Sequence, residues 1–108
     1  MEIVFDGRAA GVTFNPAKKN IKKLYRGGIK EPKLRLVPMP ENKYDKNAIR
    51  VVTDFLGRVI ELGWVPKTDN SRMLEYGLSN IHCMFGGYNM YEDEVVGISI
   101  VLIHAPEG

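Results

Sequence analysis

A single cysteine in 108 residues, Cys83, excludes an intramolecular disulfide and fits a reducing cytoplasm. Histidine is nearly as scarce. His82 and Cys83 are adjacent, so on a strand they point to opposite faces, and His104 lies far along the chain. A metal needs three or four convergent ligands, so none is expected. The glycine patterns of nucleotide enzymes are missing, with Gly27-Gly28 and Gly86-Gly87 reading as turns. Neither Cys83 nor any serine occupies a nucleophile elbow or stands at motif spacing from a base. No apolar run approaches membrane-spanning length, and the longest, Val95 to Ile103, suits a strand. The opening Met-Glu-Ile-Val-Phe-Asp has no basic start and no long apolar run of a signal peptide. These absences point to a soluble cytoplasmic protein with no cofactor, no catalysis and no membrane partner.

What is present suits one folded domain. Hydrophobic residues make up 44% and charged residues 26%, ordinary globular values. The length allows a real core but not two, so residues 1–108 are expected to form a single unit. The net charge of +2 hides a split. Residues 1–67 hold fourteen Lys and Arg against seven Asp and Glu, a surplus of seven positive charges. Residues 68–108 hold one against six, a deficit of five that returns the total. Such asymmetry suits a surface facing an anionic partner, although each face is also simply solvated.

The expected elements are mostly strands. Glu2 to Phe14 reads as a strand or bent pair of strands, kinked at Gly7 and Gly11. Asn15-Pro16 starts a short helix, with Ala17, Ile21, Leu24 and Tyr25 on its apolar face and Lys18, Lys19, Lys22 and Lys23 largely opposite. Gly27-Gly28 ends it. Ala48–Thr53 and Arg58–Leu62 form a hairpin through Asp54 to Gly57. Ser71 to Tyr76 is a second short helix, capped by Asp69, Asn70 or Ser71 and stopped by Gly77, with Met73 and Leu74 inward. Ile81 to Phe85, a bend at Gly86-Gly87, and Val95 to Ile103 complete the sheet, with Glu92-Asp93-Glu94 as an acidic hairpin tip. The tail Ala105 to Gly108 is expected to fray.

The most informative stretch is Leu34 to Ile49, LRLVPMPENKYDKNAI. Alternating Leu34 and Leu36 give a half-buried strand, Pro38 and Pro40 break it, and Ala48 to Val52 restores an apolar run. Between them, Glu41 to Asn47 packs an aromatic, acids, amides and two lysines into a loop fixed at both ends. Such loops favour binding. Together with Gly57 and Gly63-Trp64-Val65-Pro66, this pattern resembles the HIRAN domain, and Gly11-Val12-Thr13-Phe14 and Ile21 to Leu24 fit its amino-terminal part. The resemblance covers roughly residues 4 to 103. It implies a small six-stranded, OB-like or SH3-like β-barrel with two short helices, mainly β in class.

It also implies a function. The better-understood members grip the 3′ end of single-stranded DNA, with a Tyr-Asp pair at that end and the carboxylate accepting a hydrogen bond from the terminal hydroxyl. Carried over, Tyr44 stacks a base and Asp45 reads the free end, with Asn42, Lys43 and Lys46 beside them in the loop. Aromatic faces and cations are what single strands require, and Phe14, Trp64 and Lys67 add to both. Two positions depart from the end-binding pattern: Thr13 replaces a basic residue, and Trp64 replaces a polar residue or histidine. Binding to single strands survives these changes better than 3′-end recognition does. For each residue a structural role competes, with core packing for the aromatics and turn-holding for Asp45. The expected partners are single-stranded DNA or DNA 3′ ends, and a replication or repair helicase or nuclease. Two rivals remain at this stage. One is a protein-interaction module with no DNA site; the other is a nuclease holding Mg²⁺ on Asp45, Asp54 and Glu61.

Overall fold

Alternation along the last strand shows how the core is built. Ile98, Ile100 and Leu102 are fully buried, while Ser99, Val101 and Ile103 between them are only partly so. Each buried side chain of this size contributes about 1.5–3 kcal/mol relative to exposure. The computed structural model describes residues 1–106. Its elements are β1 (Glu2–Arg8), α1 (Ala17–Arg26), β2 (Leu34–Pro38), β3 (Ile49–Phe55), β4 (Arg58–Trp64), α2 (Lys67–Tyr76), β5 (Ile81–Tyr91) and β6 (Glu94–His104). A 3-10 turn at Leu78–Asn80 joins α2 to β5.

The strands form two antiparallel three-stranded sheets, ordered β1-β6-β5 and β2-β3-β4. The two sheets are stitched just past β1. Ala10 N–H donates to the Trp64 carbonyl at 2.8 Å, and Trp64 N–H donates to the Ala10 carbonyl at 2.9 Å. Among the described residues six strands in two sheets and two helices thus form a small β-rich domain. Strands β2 and β5 are the outer strands on the far side, and a cleft of about 640 Å³ lies along them. Ile49, Val51 and Leu62 fill the core from the second sheet, Ile21 and Leu24 from α1, and Met73 from α2.

Several local expectations change. The first strand ends at Arg8 and does not reach Phe14, because the chain leaves β6 to reach Trp64. Gly63 makes that approach possible. Its φ is +145°, and a Cβ there would sit 2.9 Å from the Ala10 carbonyl oxygen. Helix α1 buries Ala17, Ile21 and Leu24, but Tyr25 lies at the margin of the stripe, edge-on to Tyr88 at 5.1 Å. Asn15 supports its first turn, Oδ1 accepting the Lys19 N–H at 3.2 Å. Helix α2 begins at Lys67, four residues earlier than expected, and Asp69, Asn70 and Ser71 lie inside it and cap nothing. Pro66 precedes the first turn, where a missing N–H costs nothing, and its carbonyl accepts from Asp69 and Asn70. Strand β5 runs on through Gly86-Gly87 to Tyr91, because a bulge between Phe85 and Gly87 absorbs the irregularity.

Candidate nucleic-acid interface

The loop between β2 and β3 is held by its own amides and carboxylate. Met39 N–H donates to the Ala48 carbonyl at 2.9 Å, closing the base. Asn42 Oδ1 accepts from the N–H groups of Tyr44 at 2.9 Å and Asp45 at 3.1 Å. Asp45 Oδ1 accepts from Asn47 N–H at 2.9 Å, and Ala48 N–H donates to the Asp45 carbonyl at 3.1 Å. These are turns built from short polar side chains, the reason Asn and Asp are chosen there. With the backbone so fixed, Tyr44 stands 90% exposed.

A second anchor comes from α2. Asn70, 3% exposed, donates its Nδ2–H to Asp45 Oδ2 at 2.7 Å. The Asn47 N–H, then the Asn70 amide, and less strongly the Lys67 ammonium hold the Asp45 carboxyl below its usual range, outweighing burial. Asp45 is therefore an ionised acceptor at neutral pH. A carboxylate offers about four lone-pair sites, and among the described residues two are used.

Around this carboxylate lies an open cleft of about 360 Å³. Asn42, Tyr44, Asp45, Trp64 and Lys67 line it, and so does Asn70. The wall opposite the loop is Ala10-Gly11, where a Cβ on Gly11 would meet Trp64 Cδ1 at 2.7 Å. Trp64 is half-buried against that wall. Five of the eight residues expected from the sequence thus converge. Lys43 and Lys46 are exposed on the same loop without lining the cleft. Phe14 lies outside it, 73% exposed, three residues beyond Gly11. Asn70 escaped sequence reasoning because it resembled a helix cap. The available signal was its i,i+3 spacing from buried Met73, which puts it on the inward stripe of α2.

The other carboxylates work separately. Asp54 accepts from Arg35 at 3.2 and 3.3 Å, and half-buried Glu61 lies 3.9 Å from Arg50, its carboxyl pushed up by burial. Among the described residues, no three of His, Cys, Asp and Glu come together in a metal-binding group. Cys83 is a free thiol that burial pushes up to about 12, so it stays protonated at physiological pH.

Fold and cleft together define a small β-rich module with a fixed acceptor, an exposed aromatic and flanking cations. The HIRAN domain family model matches residues 4–102, and the chain belongs to that family. No curated protein and no solved structure matches it. The family is known as a DNA-binding module, which supports nucleic-acid binding by this chain. No helix among the described residues is long and apolar enough to cross a membrane.

Proposed function

We propose that this chain is a non-catalytic module that takes the 3′-hydroxyl end of a single DNA strand into the Tyr44–Asp45 cleft. The observation that carries this reading is the Asp45 carboxylate, ionised and oriented by two donors, with acceptor capacity left beside an exposed aromatic. A carboxylate among phosphates normally repels nucleic acid. A terminal hydroxyl is a donor that rewards it, through a charge-assisted hydrogen bond. Tyr44 offers its face for the last base, and Lys67 stands on the cleft rim for the neighbouring phosphate. The cleft volume of about 360 Å³ falls at the small end of ligand pockets, in keeping with a terminal nucleotide. By this reading the chain delivers a replication or repair partner, a helicase or nuclease, to a DNA end. The single free thiol supports a cytoplasmic setting.

Fluorescence anisotropy at low salt tests the reading, comparing 3′-hydroxyl with 3′-phosphate single strands. The wild type should prefer the hydroxyl end, and Asp45→Asn should lose that preference. Asparagine can still accept from Asn47, so the turn is retained while the charge is removed, and the Asn70 amide must turn over to accept from the new N–H instead of donating. Equal affinity of the wild type for both ends would withdraw end recognition.

The cleft along β2 and β5 favours a second reading, a protein-interaction module. Leu34, Leu36, Ile81 and Cys83 give it an apolar lining beside two outer strands. That reading predicts binding indifferent to salt, whereas phosphate contacts weaken steeply as salt rises.

A further inference from the structure

Helix α1, AKKNIKKLYR, carries four lysines and an arginine and no acidic residue. At 100° per residue, Lys18, Lys22, Arg26, Lys19 and Lys23 fall in that order across one continuous outward arc, opposite buried Ala17, Ile21 and Leu24. The pairs Lys18–Lys22, Lys19–Lys23 and Lys22–Arg26 are like charges at i,i+4, an arrangement that destabilises a helix. Lys18 and Lys19 also stand in the first turn, where the helix dipole disfavours cations. The ion pairs among the described residues are Arg35–Asp54, Arg50–Glu61 and Arg72–Asp69, and none involves α1. Lys23 has an aromatic neighbour, its Nζ 5.8 Å from the Phe55 ring centre. Lys23 and Arg26 stand in the last turn, where the dipole favours cations, but among the described residues no ion pair offsets the repulsion among Lys18, Lys19 and Lys22, as expected of a surface that meets an anion.

The position of this face connects it to the Tyr44–Asp45 cleft. The segment 10–14 borders both. Ala10 and Gly11 wall the Asp45 cleft, while Val12 and Thr13 line a second cleft of about 260 Å³ together with Lys18 and Lys22. Glu94 stands on the same cleft, without an ion pair to either lysine. Exposed Phe14 lies at the helix entrance, its carbonyl accepting the Lys18 N–H at 3.0 Å. A strand leaving the Asp45 cleft therefore meets an aromatic face and then a line of cations. Ten helical residues span about 15 Å, room for several nucleotides beyond the terminal one.

We propose that the outward face of α1 is a phosphate-backbone subsite. A single strand ending at Asp45 runs in the 5′ direction across Gly11 to Phe14, stacks a base on Phe14, and lays its phosphates along Lys18, Lys19 and Lys22. This rests on the end-binding reading above and adds to it a footprint and a strand polarity.

The test uses the full chain and thymidylate strands of about four and about twelve nucleotides, lengths within the span of single-strand sites. Affinity is measured across a salt series. The wild type should bind the longer strand about tenfold or more tightly, with a steeper dependence on salt. The variant Lys18→Gln/Lys19→Gln/Lys22→Gln should keep the short-strand affinity within about twofold and lose most of the length advantage. Its slope of log affinity against log salt on the long strand should fall by about 2, since each single-strand phosphate contact contributes about 0.7. Glutamine is a good helix former and relieves the like-charge repulsion, so the variant should fold, as circular dichroism will verify. Equal losses on both lengths, or an unchanged slope, would overturn the subsite. A wild type indifferent to length overturns it too but leaves end binding standing, whereas a wild type that binds neither strand removes both. Asp45→Asn separates the two sites: it should abolish the 3′-hydroxyl preference and leave the long-strand salt slope in place.

Discussion

Substituting Gly63 tests whether the stitch between the two sheets holds the cleft together. Gly63 lies at φ +145°, and an alanine Cβ would stand 2.9 Å from the Ala10 carbonyl oxygen and 3.1 Å from Ala9 Cβ. The backbone conformation alone costs a side chain about 1–3 kcal/mol. The clash with a carbonyl cannot be relieved by rotating a side chain, so the segment carrying Ala10 must move. That movement lengthens the two hydrogen bonds between Ala10 and Trp64, each contributing about 0.5–1.5 kcal/mol. Together these give Gly63→Ala a destabilisation of about 2–6 kcal/mol, a large fraction of a typical stability of about 5–15. Gly57→Ala is the control, because Gly57 has φ +77° but nothing within 4 Å of a built Cβ. It should cost only about 1–2 kcal/mol, the cost of a left-handed side-chain residue. Urea denaturation of both variants reads the difference as a shift in midpoint at constant slope. Because Ala10, Gly11 and Trp64 wall the Asp45 cleft, Gly63→Ala should also weaken single-strand binding in conditions where it remains folded. Equal stability losses in the two variants would refute the argument that close approach, rather than backbone conformation, requires this glycine.

Further outcomes follow from other positions. Leu56, 84% exposed, has φ +51° and precedes Gly57 at +77°, a two-residue turn that favours Asn-Gly. Leu56→Asn should stabilise the protein by about 1 kcal/mol and raise Tm by several degrees, and an unchanged Tm would count against strain at this turn. The folded-state pKa of Asp45 is depressed, so its contribution to stability is present above the unfolded value of about 3.9 and is lost as pH falls through the folded value. Asn70→Ala should raise the Asp45 carboxyl in a carbon NMR titration and move acid unfolding to higher pH; an unmoved titration removes Asn70 as an anchor. The Cys83 thiol, pushed up to about 12, should react slowly with iodoacetamide in the native protein and rapidly in urea. Since the unfolded thiol ionises first, stability should decline as pH climbs above about 8.5, and a flat profile for the wild type compared with Cys83→Ala would contradict this. Tyr44→Ala should lose about 1–3 kcal/mol of single-strand affinity if the ring stacks a base, while thermal unfolding of so exposed a residue stays nearly unchanged.

The sequence made the hairpin of β3 and β4, the alternation in β6 and the apolar stripe of α1 legible, because each depends on local periodicity. It misplaced what depends on distant partners. The start of α2 reads four residues late because Asp69, Asn70 and Ser71 resemble caps; the spacing from Met73 places Asn70 on the inward stripe, but nothing local reveals that its partner is a carboxylate 25 positions earlier. Val12 and Phe14 continue an apolar alternation that reads as strand, whereas the chain turns aside at Ala10 to pair with Trp64. At the candidate site the loop residues were legible as a set, since Asn42, Tyr44 and Asp45 are neighbours in sequence. Phe14, chosen for the same aromatic character, lies outside the cleft that they line, on the segment that leads from its wall to α1.

Asp45 shows why turn-holding and ligand recognition need not be alternatives. Its Oδ1 holds the turn through Asn47 and its Oδ2 ties the loop to α2 through Asn70. Both bonds also lower its pKa, and so guarantee the charge that makes it a strong acceptor for a hydroxyl. The structural contacts therefore prepare the site: they fix the direction of the carboxylate and leave lone pairs for a donor arriving from the cleft. Alanine at this position would remove scaffold and acceptor together and report only their sum. Asparagine keeps an oxygen for Asn47 but sets an N–H against the Asn70 donor, so a loss of 3′-hydroxyl preference without a loss of stability would show that the Asn70 amide turns over to accept, and would assign recognition to the charge itself.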